Sequence, residues 1–389
     1  MTPQLSTDPT IVDSTSTLDL LVEDLSSADA IAVDTEANSF FAYRERICLV
    51  QISTRDRDYL VDPLAPLDLR PLGGVFADPA ILKVFHAAEN DIILLRQAFD
   101  FTFRNLFDTL VAAQVIGVKR YSLQAMLQER FSLDIDKELQ RSNWGQRPLS
   151  VEQIRYAALD THFLLPLRDS LASDLESKGR FEEAASDFIA LESKTAERRE
   201  FDPNDCVRIK GSRELSPVSL QVLRELFALR DRLASERDVP PFRILMDFAL
   251  LHLARRMPRD ASALRTLPGV GERVTKEFGE AILEAIARGR AAGPLVLRPP
   301  ARTGERLPFD PRRVELYDRL RDWRARTAEA RGVESFRVAK NELLSAVVKE
   351  WPTSLEGLSR VPGMENWRVR TYGEAILNEI RRFGSNGGG

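Results

Sequence analysis

Cysteine and histidine are scarce in this chain of 389 residues, which contains two cysteines and three histidines. Cys48 and Cys206 lie far apart, which argues against a disulfide framework and a cysteine-rich zinc site. No histidine has a partner at the spacing of a zinc-protease motif, and no phosphate-binding loop of the GxxxxGK[ST] or GxGxxG type occurs. The sequence therefore predicts a protein without an organic cofactor.

Long apolar runs are also missing. The longest stretch without a charged residue is the ten residues Thr109–Val118, about half of the ~20 residues that a membrane-spanning helix needs. The first twenty residues contain no Lys or Arg, which is unlike a secretory signal peptide. With 43% hydrophobic and 29% charged residues, the composition is typical of a globular protein. We expect a soluble, cytoplasmic monomer that does not bind membranes.

The net charge of −4 hides two halves of opposite sign. Residues 1–199 contain 21 Lys and Arg against 32 Asp and Glu, whereas residues 200–389 contain 34 against 27. The first half therefore carries −11 and the second +7, and basic regions supply the sequence-independent part of nucleic-acid binding. Two unrelated domains with different surface charge would give the same numbers, so charge alone leaves both interpretations open.

Short apolar runs that end in polar residues predict strands in the first half of the chain. The predicted strands are residues 31–33, 47–52, 58–62 and 82–85. Residues 90–99 have apolar positions at helical spacing, and the pattern from 122 to about 196 is mostly helical. Ser150 is a candidate N-cap for one long helix whose apolar face runs from Ile154 to Leu165. Strands with helices packed around them predict a mixed α/β domain.

The second half contains an internal repeat. A shift of 94 places residues 223–286 on residues 317–380 without a gap, and 19 of the 64 pairs are identical. Chance gives roughly four identities when common residues occur at a frequency of ~5–7%. The repeat predicts a duplicated helical domain rather than a solenoid, because only two copies exist.

These patterns divide the chain into five predicted segments. They are an α/β domain at 1–205, a helical domain at 206–290, a linker at 291–305, a second helical domain at 306–384 and a tail at 385–389. The linker contains several prolines, which predicts a stiff spacer, and the glycine-rich tail is predicted to be flexible.

Acidic residues follow three of the predicted elements. Asp34 and Glu36 end the first strand on one face, about 6–7 Å apart, so this strand end either faces water or holds a cation. Asp91 opens the helix after the fourth strand, where it either complements the helix dipole or lies at the surface. Tyr156 and Asp160 share one helix face, and the alternative there is a packed Tyr beside a solvated Asp.

Together these residues resemble the motifs of the DEDD superfamily of 3′–5′ exonucleases, which has the ribonuclease-H-like fold. The motifs occur in the superfamily's order, as Asp34-Thr35-Glu36, His86–Asp91 and Tyr156–Asp160. The tyrosine marks the DEDDy branch, since the other branch has His where this chain has Arg155. The resemblance covers residues 30–165.

The resemblance implies two divalent cations, Mg²⁺ or Mn²⁺. Their ligands would be Asp34, Glu36, Asp91 and Asp160. Two such ions about 3.5–4 Å apart activate water and stabilise phosphate charge, and carboxylates are the ligands that hard cations prefer. Tyr156 would orient the attacking water rather than act as a base, because an ordinary phenol has a pKa near ~10.

Each copy of the repeat resembles the HRDC domain, a small helical nucleic-acid-binding module. In the first copy, Leu267–Gly271 resembles a helix–hairpin–helix turn, in which backbone N–H groups approach a phosphate. The second copy has Glu365 in place of Gly271. The candidate phosphate contacts are Arg243, Arg273, Lys276 and Arg337. The alternative is that the turn only joins two helices and that these side chains only solvate helix faces.

The order of a DEDDy exonuclease domain and two HRDC-like domains is similar to that of the bacterial ribonuclease D family. This similarity implies a metal-dependent 3′→5′ exoribonuclease that trims RNA 3′ ends, with tRNA precursors as substrates and 5′-mononucleotides as products. Two alternatives are a DNA 3′–5′ exonuclease on the same scaffold and an RNA-binding scaffold without catalysis. The scaffold would be expected to lack one of the four acids, and none is missing.

Overall fold

The computed structural model describes residues 8–135, 138–195, 200–295 and 310–385. The chain divides into two compact units, of which one is Met1–Glu36, Ile47–Thr195 and Arg306–Gly389 and the other is Ala37–Arg46 and Ala196–Glu305. Most of the predicted linker and all but the first residue of the predicted tail lie outside the described residues. The predicted segment boundaries stay predictions.

A six-stranded sheet forms the centre of the α/β domain, with the strand order β1-β4-β3-β2-β5-β6. The strands are β1 (Thr10–Val12), β2 (Ala30–Ala37), β3 (Ile47–Ser53), β4 (Asp58–Val61), β5 (Leu82–Phe85) and β6 (Leu106–Asp108). β5 is parallel to both β2 and β6, whereas β3 is antiparallel to β4. Because the carboxyl ends of parallel strands lie at one edge of a sheet, the residues that follow β2, β5 and β6 come together.

Helices alternate with and follow these strands along the chain, and the predicted mixed α/β fold is confirmed. They are α1 (Thr15–Ser26), α2 (Arg70–Ala77), α3 (Glu89–Phe99), α4 (Thr109–Ile116), α5 (Leu123–Phe131), α6 (Val151–His162), α7 (Leu164–Ser177) and α8 (Phe181–Glu192). Every residue of β3 and β4 is buried, which places the core on these central strands. β1 and β6 were not predicted, since three residues are too few for a periodic signal.

The prediction of one long helix after Ser150 is wrong. Ser150 does cap α6, because its Oγ accepts from the Gln153 N–H at 3.2 Å while Gln153 Oε1 accepts from the Ser150 N–H at 2.9 Å. The helix ends at His162, and α7 begins at Leu164. Pro166 explains the break, because in a continuous helix its ring would clash with the carbonyl of His162.

The duplicated helical fold is confirmed. The first copy contains α9 (Pro217–Glu236), α10 (Pro241–Ile244), α11 (Asp247–Arg256), α12 (Ala261–Arg265) and α13 (Gly271–Ala291). The second contains α14 (Pro311–Arg331), α15 (Ser335–Val338), α16 (Asn341–Glu350), α17 (Leu355–Ser359) and α18 (Asn366–Ser385). The first four helices of the second copy begin 94 residues after their counterparts, and α18 begins one residue later. None of the described helices has the length and apolar character needed to cross a lipid bilayer.

The same arginine makes the same hydrogen bonds in both copies. Arg230 Nη1 donates to the carbonyl of Leu245 at 3.1 Å, and Arg324 Nη1 donates to the carbonyl of Ala339 at the same distance. In each copy the same guanidinium also bonds the first residue of the next helix, Asp247 or Asn341. Since all of these positions differ by 94, the copies share their internal contacts as well as their sequence pattern.

The segment of residues 37–46, which follows β2, groups with the first helical copy. Tyr43 packs against the core of that copy, and its hydroxyl donates to Asp231 Oδ1 at 2.7 Å. The N–H of Tyr43 also donates to Asp238 Oδ1 at 3.2 Å, and the Arg243 guanidinium lies 5.1 Å from the ring centroid of Phe41. These contacts hold the chain that leaves the first motif.

Replacing Ser150 with Ala should lower the free energy of unfolding of the α/β domain by about 1 kcal/mol, because the start of α6 loses its cap. Urea unfolding followed by circular dichroism measures the change. Ser173→Ala, at an exposed position inside α7, is the matched control and should change stability by less than ~0.5 kcal/mol. Equal effects of the two substitutions would contradict the capping role.

Candidate active site

A cavity of about 440 Å³ opens where β2 and β5 end. Its lining includes Asp34 and Glu36 from β2, and Tyr156 and Asp160 from α6. The two residues on α6 are one helical turn apart, so both point to the same side. The cavity therefore unites the first and third predicted motifs.

Asp91 joins this group through Thr35. It lies in the first turn of α3, is 8% exposed, and accepts a hydrogen bond from the Thr35 hydroxyl on Oδ1 at 2.5 Å. Thr35 stands between the two acids of the first motif, so this bond ties the first motif to the second. Thr35 is not among the predicted site residues, since a threonine in a strand is ordinary.

Asp108 holds the turn that precedes Asp91. Its carboxylate accepts from the N–H groups of Ala87 at 3.1 Å and Ala88 at 2.8 Å, and it also caps α4 by accepting from the Leu110 N–H at 2.8 Å. Ala87 has a φ of +63°, a left-handed conformation that needs such support. Asp108 is not among the predicted site residues, although an acid directly before an apolar helical run is an N-cap signal.

The segment before α6 fixes the position of that helix. Arg147 binds both carboxylate oxygens of Asp62, at 2.6 and 2.7 Å, and donates to the carbonyl of Cys48 at 2.6 Å. Trp144 is 1% exposed and packs in a cluster that includes Ala157 of α6. These contacts anchor the helix that carries Tyr156 to the sheet.

The carbonyl end of α6 has a second anchor. His162 Nδ1 lies 2.8 Å from Asp58 Oδ2, and Asp58 Oδ1 accepts from the Ser53 hydroxyl at 2.6 Å. Because Asp58 and Ser53 belong to β4 and β3, this chain of bonds secures the helix two residues beyond Asp160.

The four motif carboxylates (Asp34, Glu36, Asp91 and Asp160) interact electrostatically. Burial, then the charges of the other three acids, raise the pKa of Asp34 well above its usual value. Burial and the charges of Asp160 and Asp91 raise the pKa of Glu36 to about 9. The pKa of Asp91 is raised to about 7, mainly by burial. These groups repel one another in a region that solvates them poorly.

Tyr156 remains protonated at neutral pH. Burial and the charges of Asp160, Glu36 and Asp34 raise the pKa of its phenol, and so does its hydrogen bond with Asp160. A protonated phenol can donate a hydrogen bond, but it is a poor proton acceptor.

The oxygen atoms of the four motif carboxylates are suitable ligands for hard divalent cations. A cation would relieve the repulsion among the motif carboxylates, and oxygen ligands suit Mg²⁺ and Mn²⁺. Within the part of the chain that the structure describes, however, no three His, Cys, Asp or Glu side chains form a group that could hold a metal ion.

A second cavity of about 500 Å³ adjoins the first. The two share Tyr121, Ser122 and Gln124, and the second is also lined by the exposed side chains of Lys119 and Arg120. Cationic side chains therefore lie next to the cavity that contains the motif carboxylates.

The predicted phosphate contacts of the first helical copy are all exposed. Arg243 lies on α10, while Arg273 and Lys276 lie near the start of α13. The turn before α13 needs glycine, because Gly269 has a φ of +81° and a Cβ there would lie 2.6 Å from the Phe248 ring. Arg337 of the second copy differs, because its side chain is 10% exposed and pairs with Asp187. A phosphate could reach Arg337 only by displacing that carboxylate.

Comparison with known proteins agrees with these two architectures. The family model described as 3′–5′ exonuclease matches residues 9–176, and the HRDC domain model matches residues 219–286 and 314–380. The fold and its motifs thus define a 3′–5′ exonuclease domain followed by two HRDC domains.

Relatives extend the match to nearly the whole chain. Ribonuclease D of Gluconacetobacter diazotrophicus is 34% identical over 375 residues, which cover 95% of this chain and 92% of that protein. This chain belongs to the ribonuclease D family, and the predicted enzyme class, a hydrolytic 3′–5′ exoribonuclease, is confirmed.

Solved structures show the same fold. The catalytic core of RRP6 from Trypanosoma brucei has a TM-score of 0.68 and 31% identity, over 75% of this chain and 82% of that one. Escherichia coli RNase D has a TM-score of 0.65 and 23% identity, over 97% of this chain and 99% of that one, which is a likeness of fold.

The raised pKa of Glu36 predicts how stability changes with pH in metal-free protein. Because folding raises this pKa from 4.5 to about 9, the folded state holds the proton more tightly, and stability falls as pH rises through that interval. Glu36→Gln should therefore be more stable than wild type at pH ~9 by about 1 kcal/mol or more, the equivalent of one pKa unit.

Thermal unfolding in EDTA across pH measures this difference, which should vanish near pH ~4, where the carboxyl is protonated in both states. Glu23→Gln, at an exposed position of α1, is the control for the loss of one carboxyl group and should change stability by less than ~0.5 kcal/mol. A Glu36→Gln variant less stable than wild type at pH ~9 would disprove the repulsion.

Proposed function

We propose that this chain removes nucleotides one at a time from the 3′ end of RNA with two divalent cations, and that it releases 5′-mononucleotides. The observation that carries the proposal is the meeting of Asp34, Glu36, Tyr156 and Asp160 in one cavity, with Asp91 bonded to Thr35 beside them. The names ribonuclease D and RRP6 exosome exonuclease among the relatives support RNA as the substrate.

Asp34, Glu36, Asp91 and Asp160 would hold the cations, which are Mg²⁺ or Mn²⁺. When bound, such ions stabilise negative charge on the phosphate and lower the pKa of water. The raised pKa values of Asp34, Glu36 and Asp91 support this assignment, because a site that repels its own carboxylates gains stability when a cation neutralises them.

Tyr156 would orient the attacking water by a hydrogen bond from its protonated hydroxyl. Its bond with Asp160 limits the directions in which that hydroxyl can point.

His86 also lines the cavity, and its Nδ1 lies 2.9 Å from the Thr109 hydroxyl. Because Thr109 Oγ1 donates its own proton to the carbonyl of Phe85 at 3.0 Å, His86 Nδ1 carries the proton in this pair.

Arg243, Arg273 and Lys276 would bind the RNA backbone through the first HRDC domain. Their exposure and the glycine turn beside them support this role.

Precursors of tRNA are the substrates that we propose, because a basic helical module could hold a structured RNA body while a single-stranded 3′ end enters the cavity. The monomeric state and the cytoplasmic location stay predictions.

Substitutions of the motif residues test the chemistry. Asp34→Ala and Asp160→Ala should abolish turnover of a 3′-extended tRNA with Mg²⁺, because each removes a cation ligand. Tyr156→Phe should slow turnover by about 10²-fold or more, since it removes only the orienting hydroxyl. Single-turnover assays resolved at nucleotide level measure both effects, and EDTA should stop the wild-type reaction.

A matched DNA oligomer is the control for substrate class. Equal rates on RNA and DNA would favour a general 3′–5′ exonuclease, and failure of the wild type to release mononucleotides would favour a non-catalytic RNA-binding scaffold. Near-normal rates in Asp34→Ala would refute the two-ion assignment.

The role of the first HRDC domain has its own test. Arg273→Ala should weaken RNA binding several-fold and reduce the slope of log K against log salt by about 1, as expected for one lost phosphate contact. Fluorescence anisotropy in EDTA measures binding without cleavage. Lys178→Ala, which removes an exposed charge just after α7, is the control, and an equal effect of both substitutions would argue against a specific contact.

A further inference from the structure

Of the positions that carry a basic side chain in both HRDC copies, three pair with one helix of the exonuclease domain in the second copy, and we call this set of three the basic face of each copy. The face consists of Arg237, Arg243 and Lys276 in the first copy and of Arg331, Arg337 and Arg370 in the second. Each pair of positions differs by the shift of 94 that relates the two copies. The basic face is therefore positively charged in both copies. Whether it can bind an anion depends on which residues lie next to it.

In the second copy, α8 of the exonuclease domain encloses Arg331 and Arg337 of the basic face and pairs with the more exposed Arg370. Arg331 Nη2 lies 2.6 Å from Glu183 Oε2, and these side chains are only 16% and 4% exposed. The carbonyl of Arg331 accepts a hydrogen bond from Arg180 Nη2 at 3.1 Å, and the other arm of Arg180 donates to the carbonyl of Val115 at 2.9 Å. The contact thus joins α14 to both α4 and the start of α8.

The other two arginines of this face also pair with α8. Arg337 pairs with Asp187, and Arg370 pairs with Glu182. Backbones also approach closely there, because a Cβ on Gly117 would lie 2.4 Å from the carbonyl oxygen of Gly332. All three cations of the basic face are therefore neutralised by carboxylates of one helix.

The first copy presents the same face without such a helix. Lys276 is exposed, and within the described residues it makes no ion pair. Arg243 is also exposed, its guanidinium lies over the ring of Phe41, and no carboxylate in the part of the chain that the structure describes forms an ion pair with it. Arg237 pairs with Glu277 of its own copy. Carboxylates and phosphates use the same charge-assisted hydrogen bonds to Arg and Lys, so only the first copy has cations of this face free for a phosphate.

We propose that α8 occupies, on the second HRDC copy, the surface with which the first copy binds RNA phosphates, so that RNA engages the first copy alone. This rests on the proposed RNA-binding role of the first copy. A polyanion would have to displace Glu182, Glu183 and Asp187 to reach the second face. The duplication has therefore produced one copy that binds RNA and one that docks on the catalytic domain.

A matched pair of substitutions in the full-length chain tests this division. Lys276→Ala and Arg370→Ala remove the cation at equivalent positions, and Arg370 is 60% exposed, so its loss should leave the fold intact. In EDTA, Lys276→Ala should weaken binding of single-stranded RNA several-fold and reduce the salt slope by about 1. Arg370→Ala should leave both unchanged. Equal weakening by the two substitutions overturns the proposal.

Removal of the covering charge gives the converse test. Glu182→Gln should free Arg370 and tighten RNA binding, whereas Glu176→Gln, an exposed position on α7 with the same change of charge, should have a smaller effect. Equal effects of the two count against the proposal.

Elution from heparin-agarose in a salt gradient repeats these comparisons with a polyanion that is not RNA. Suppose that Lys276→Ala elutes from heparin at lower salt than Arg370→Ala, while wild type binds no RNA. The proposed RNA substrate is then wrong, but the proposal that α8 occupies the basic face of the second copy is supported. If they do not differ on heparin, the covered face is wrong whatever the RNA result.

Discussion

Repulsion among the four motif carboxylates, of which Asp91 is buried and the other three line a cavity, is what the surrounding contacts must balance. Burial and the charges of neighbouring acids raise the pKa of Asp34, Glu36 and Asp91, so the fold must hold together groups that would separate if they were free. Neighbouring residues fix the positions of these acids. Thr35 donates a hydrogen bond to Asp91, and Asp108 accepts hydrogen bonds from the turn before it. Arg147 binds Asp62 and so fixes the segment before α6. Each of these contacts fixes the position of a backbone segment or a side chain without neutralising the four acids. Their negative charge therefore remains available to bind a cation.

Opposite charge also organises the contact between the exonuclease domain and the second HRDC copy. The acidic residues of α8 meet arginines of that copy, and the pair Arg331–Glu183 is almost fully enclosed. Burial of one of these charges without the other would be costly, which makes the docking specific. Part of the negative charge of the first half is thus used to hold a basic domain.

Several elements could be predicted because their signals are local. The strand Leu82–Phe85, the cap at Ser150 and the shift of 94 between the helical copies all come from residues close to one another in sequence or from direct repetition. The break between α6 and α7 was missed because apolar spacing continued through it, although Pro166 decides the outcome. Thr35 was missed because nothing in its local sequence points to its bond with Asp91.

The order and spacing of four acids and a tyrosine predicted the chemistry, because these residue types in this pattern resemble the motifs of one superfamily. Tertiary structure alone decided what each charge faces. Arg243 and Arg337 occupy equivalent positions in two copies of one domain, yet the first lies exposed over an aromatic ring and the second is buried against Asp187. An ion-pair partner 150 residues away leaves no trace in the local pattern, because its position depends on how whole domains pack.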